Sequence, residues 1–129
     1  MYVTVIVLGL RHNRWGYFIG ISIAGLWNYV NLFVTTFFQG GMHQLQLLLT
    51  TGQLHRPDLV IAVFAVLFHF VLIYACVLGY LRLEQRYASD LPKLLLSFAV
   101  STGYFAAIIA VFQPRYLELF SHMLHPHGL

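Results

Sequence analysis

LVIAVFAVLFHFVLIYACVLGYL occupies residues 59–81, 23 positions without a charged side chain. As an α-helix it would be about 34 Å long, enough to cross a hydrocarbon core of ~30 Å. Pro57 and Asp58 precede it. Proline suits the first helical turn, and a carboxylate there favours the positive end of the helix dipole. Two further runs repeat the pattern. Gly16 to Phe38 is again 23 residues without a charge, closed by Gln39, Gly40 and Gly41. Leu94 to Phe112, 19 residues, follows Pro92 and Lys93 and stops at Gln113 and Pro114. The expected fold class is an all-α integral membrane protein with three transmembrane helices, at about 16–38, 59–81 and 94–112.

Composition agrees. Of 129 residues, 60% are hydrophobic and 9% charged, against about 25% charged in an ordinary globular domain. Mean hydropathy is +0.77. Eleven charges cannot coat a soluble fold, so a cytosolic enzyme domain, a disordered chain and a disulfide scaffold are excluded. Residues 1–129 read as a single membrane domain. The lone Cys76 precludes an internal disulfide. The seven basic residues sit singly at the ends of apolar runs and form no patch for nucleic acid.

Two segments are too short or too mixed to span. Residues 1–10 are apolar, lack a basic lead and are followed by Arg11 and Arg14. They read as an interfacial lead-in to the first span, not as a signal peptide. Residues 42–54 alternate leucines with glutamines and threonines, as an interfacial or re-entrant segment would. Basic residues set the orientation. Arg11, Arg14, Arg82, Arg86 and Lys93 share one side, against Arg56 and Arg115 on the other. Five against two predicts a cytoplasmic N-terminus and an outside C-terminus in a bacterial inner membrane. Glu84 and Asp90, interspersed with the basic residues of the second loop, read as solvated.

Because lipid gives helices no hydrophobic reason to associate, contact faces carry small and polar side chains. Gly16, Gly20, Ala24, Asn28, Asn31 and Thr35 recur three or four apart on the first span. They lie within about 120° of arc. Ala62 and Ala65 mark a similar face on the second span. Such faces serve either packing within the chain or contact with other membrane protein subunits, lipids filling the remainder.

His69 is the one span residue that invites chemistry, since an ionisable group at mid-membrane is a functional candidate by default. It shares a face with Tyr80, while Ser101 and Tyr104 of the third span offer hydroxyl partners. That set would suit a quinone or, with a second ligand from another chain, haem b. Bridging helices without any cofactor is the simpler use of the same imidazole. His122, His125 and His127 form a His-x-x-His-x-His pattern around Pro126 that would suit a metal. The spans hold no carboxylate, and no nucleophile–base set is apparent, so no catalytic residue is assigned. The expectation is a small accessory subunit of a larger membrane complex, respiratory or otherwise energy-transducing, that packs against or lines a lipid or quinone site. Two alternatives differ in class: a homo-oligomeric carrier or channel lined by Asn28, Asn31 and His69, and a haem or quinone redox subunit built on His69.

Overall fold

A computed structural model describes residues 1–84 and 87–112, apart from the side chain of Phe112. The described residues form α1 (Tyr2–Leu10), α2 (Arg14–Tyr29) continued by a π-helical turn (Val30–Val34), α3 (Phe37–Thr51), α4 (Pro57–Leu81) and α5 (Asp90–Phe112), with no strand. Arg14–Val34, Pro57–Leu81 and Asp90–Val111 are long and apolar enough to cross a membrane. The chain is an all-helical, multi-pass membrane protein.

The first span is displaced from its expected bounds. It starts at Arg14 because Asn13 caps it, its side-chain oxygen accepting the Trp15 N–H at 3.0 Å. It stops at Val34, where Thr35 turns extended (φ −110°, ψ 164°). Phe37 and Phe38 open α3 instead of closing the span. The segment expected at 42–54 is the greater part of this helix, and Gly52 ends it in the left-handed conformation at φ 71°.

Helix α3 packs on the start of α4. Gly41 lies against the Leu59 carbonyl and the Val63 side chain. The Gln44 side-chain oxygen accepts the N–H groups of His55 (3.2 Å) and Arg56 (3.1 Å), which fixes the intervening turn. Phe38, Met42, Leu45 and Leu49 share one flank of α3, and Gln39, His43, Gln46 and Thr50 the next. Apolar and polar flanks side by side suit a helix lying in the interface.

Residues 1–10 do not lead into the first span; they fold back on it. The chain reverses at Arg11 to Asn13, where His12 takes φ 51°. Leu8 and Gly9 then meet Gly16, and Val5 meets Gly20, so α1 runs antiparallel beside the first half of α2. A Cβ on Gly20 would stand 2.5 Å from the Cys76 sulfur, so only glycine admits this approach. Val5, Tyr17 and Cys76 form a buried cluster where α1, α2 and α4 meet.

Helix α2 is the centre of the molecule. It runs antiparallel to α4, with Tyr17 opposite Gly79 and Asn28 opposite Val66. It runs parallel to α5, with Arg14 beside Asp90 at 3.6 Å and Trp27 stacked on Phe105 at 6.1 Å. Contact between α4 and α5 is slight at most. The spans thus form a layer ordered α4–α2–α5.

Asp90 ties this layer together at one end. Its side chain is 5% exposed and lies 3.6 Å from Arg14 and 3.5 Å from Lys93. It also accepts the Tyr80 hydroxyl at 3.1 Å and the Tyr87 N–H at 3.0 Å, the latter as in a capping box. Arg14 stands over the Tyr87 ring, 4.2 Å from its centroid. The solvated loop expected around Asp90 is at this residue a buried ionic node.

Candidate functional site at the bilayer midplane

His69 is the central residue of α4, about 18 Å from either end of the helix. Its two ring nitrogens meet the Ala65 carbonyl oxygen and the Tyr2 hydroxyl. A carbonyl only accepts, so Nδ1–H donates to Ala65, and Nε2 of the neutral ring accepts the Tyr2 O–H. Both nitrogens are thereby engaged. For Nε2 to ligate haem iron, Tyr2 would have to leave.

Aromatic rings surround the pair. The His69 ring lies 5.6 Å from that of Tyr2 and 5.9 Å from that of Trp27. Trp27 stacks on Phe105 at 6.1 Å with 13° between planes, and Tyr104 meets Phe105 edge-on at 6.3 Å. Residues of α1, α2, α4 and α5 thus converge at one depth. Met1, Tyr2, Ile23, Trp27, Tyr104, Phe105 and Ile108 wall a recess of about 210 Å³ there.

Of the residues expected with His69, Tyr104 lies beside this recess and the other two lie elsewhere. Tyr80 is eleven residues along α4, about 16 Å away, and bonds Asp90 at the membrane end. Ser101 is fully buried and its hydroxyl has no partner among the described residues. From the Arg14–Asp90 and Trp27–Phe105 register, Ser22 of α2 falls level with the turn from Ser97 to Ser101. Tyr2, the hydroxyl that does reach His69, sits in a segment whose fold-back no periodicity signals.

The small and polar face of α2 turns inward. Gly16, Gly20, Ala24, Asn28 and Asn31 are all buried within the chain. Asn28 donates through Nδ2 to the Val66 carbonyl at 3.4 Å, and Asn31 to the Trp27 carbonyl at 3.0 Å. The Oδ1 atoms of both, with the Thr35 hydroxyl, are buried without a partner among the described residues. Ala62 and Ala65 are half-buried on α4. His122, His125 and His127, the expected metal ligands, lie outside the described residues.

No family model, curated protein or solved structure matches the chain.

Proposed function

We propose that the protein is a small, non-catalytic transmembrane subunit of a larger, energy-transducing assembly in a bacterial inner membrane, where it packs partner helices and borders a lipid or quinone site. The observation that carries this reading is the state of α5. Among the described residues that span packs chiefly along α2 and leaves much of its remaining circumference uncovered. Ala99, Gly103, Ala106 and Ala110, spaced four, three and four apart, are exposed along it. A Cβ on Gly103 would meet nothing within 4 Å. Beside that stripe, Leu26, Tyr29 and Val30 of α2 and Thr102, Ala106 and Ile109 of α5 wall an apolar groove of about 380 Å³. Small residues beside a groove are what a transmembrane partner helix packs against.

The channel reading gains nothing comparable. Asn28 and Asn31 are 4% and 1% exposed within one chain, so neither lines a passage between copies. Charge favours the proposed orientation. Arg11, Arg14, Arg82 and Lys93 gather where α2 and α5 begin, whereas Arg56 at the other end is held by Asp58 through two hydrogen bonds of 2.9 and 2.7 Å.

Purification of the tagged chain from native membranes in mild detergent, followed by mass spectrometry, tests the proposal. Larger membrane subunits in fixed ratio are expected. Gly103→Leu should release them and leave the melting temperature of the isolated chain unchanged. A homo-oligomer without other subunits would overturn the reading.

A further inference from the structure

We propose that the recess between α1, α2 and α5 binds the head-group ring of a lipid-soluble quinone, with Tyr104 and Trp27 as hydrogen-bond donors; this rests on the subunit bordering a lipid or quinone site, and it moves that site away from Tyr80 and Ser101. Depth comes first. The recess lies level with His69 at the centre of α4, so its ligand arrives from the hydrocarbon phase rather than from water. Size comes next. About 210 Å³ exceeds the ~150 Å³ that accommodates benzene and falls below the ~300 Å³ at which drug-sized ligands begin. One substituted ring fits, and a haem macrocycle does not.

The walls narrow the chemistry further. Trp27, Phe105, Tyr104 and Tyr2 are planar rings, and Ile23 and Ile108 are apolar, so a flat ring is favoured. Among the described residues no acidic or basic side chain lines the recess, whose wall Met1 completes, so an ionic head group finds no side-chain counter-charge there. The Tyr104 hydroxyl and the Trp27 indole N–H have ring contacts but no hydrogen-bond partner among the described residues. In hydrocarbon such donors call for an acceptor. A flat, neutral, lipid-soluble ring bearing carbonyl oxygens answers all of these conditions. The Tyr2 hydroxyl is already given to His69, whose role here is to hold that wall.

The test uses tryptophan fluorescence of the purified full chain in detergent, with decylubiquinone as probe. Trp15 and Trp27 are the two tryptophans, so a Trp15→Phe background reports on Trp27 alone. Saturable quenching is expected. Tyr104→Phe keeps the ring, removes one hydrogen bond and should weaken binding about fivefold. Ile108→Phe fills the recess and should abolish saturation. Decylbenzene, which has the chain and ring but no carbonyl, should compete poorly. Linear quenching indifferent to both substitutions, or equal competition by decylbenzene, would overturn the assignment. A melting curve for each variant separates lost binding from lost fold. Assembly fails independently: a chain that co-purifies with nothing would still quench if the site is right, and a chain that assembles but does not quench would sink the site alone.

Discussion

At the scale of the residue, two side chains carry more of the architecture than their positions in the sequence disclose. Asp90 lies within a run of charges, and composition alone reads such a run as solvent-exposed. Its burial follows from three partners that arrive from other elements: Arg14 from α2, Tyr80 from α4 and the Tyr87 N–H. Tyr2 is similar. Sequence places His69 near the middle of the second span, because that position is a count along one helix. It cannot supply the partner, because that depends on a reversal at His12, 57 residues earlier in the chain. The Tyr2–His69 bond makes a direct prediction. In a double-mutant cycle with Tyr2→Phe and His69→Phe, unfolding in detergent should reveal a coupling near 0.6 kcal/mol and no greater than about 1.7 kcal/mol, the range for interhelical hydrogen bonds in membranes. A coupling indistinguishable from zero would separate α1 from α4.

At the scale of the element, the position of each span was legible and the destination of its polar face was not. Long uncharged runs fix helices by hydropathy, which is why the second and third spans fall where expected. The face of α2 bearing Gly16, Gly20, Ala24, Asn28 and Asn31 is equally plain in the sequence. Whether it meets this chain or another depends on how many helices are at hand. With residues 1–10 read as a lead-in, the chain lacks a helix to cover that face; with them folded back as α1, Val5, Leu8 and Gly9 cover part of it. The end of α2 was hidden for a different reason. Nothing charged interrupts residues 16–38, and the break at Thr35, where the backbone turns extended, is a local conformational feature that hydropathy does not register. Two glycines of this helix allow a test. Gly20→Leu must displace Cys76 and Val5, and overpacking of this kind costs about 1–3 kcal/mol. Gly25→Leu meets nothing within 4 Å and should leave stability within about 0.5 kcal/mol. Parallel melts of the two variants check the pair, and equal losses would contradict the close packing of α1 and α4 on Gly20.

At the scale of the whole molecule, a layer of three spans with α2 in the middle has two unlike ends and two unlike edges. One end carries Arg11, Arg14, Arg82 and Lys93, of which Arg14 and Lys93 pair with the buried carboxylate of Asp90. The other carries α3, whose apolar flank of Phe38, Met42, Leu45 and Leu49 suits the boundary between headgroups and acyl chains. Basic residues favour the cytoplasmic side, and among the described residues the α3 end carries only Arg56 to oppose that bias. The recess lies level with the middle of α4, so a ligand of Tyr104 and Trp27 would arrive through lipid. Orientation is open to direct measurement. In a Cys76→Ala background, Gln53→Cys lies in the exposed turn between α3 and α4, and Ser89→Cys is exposed just before α5. A membrane-impermeant maleimide applied to intact cells should label Gln53→Cys at once and Ser89→Cys only after lysis. The reverse pattern would place the basic end outside, and the cation cluster would then need a partner subunit, not the cytoplasmic leaflet, to account for its side of the membrane.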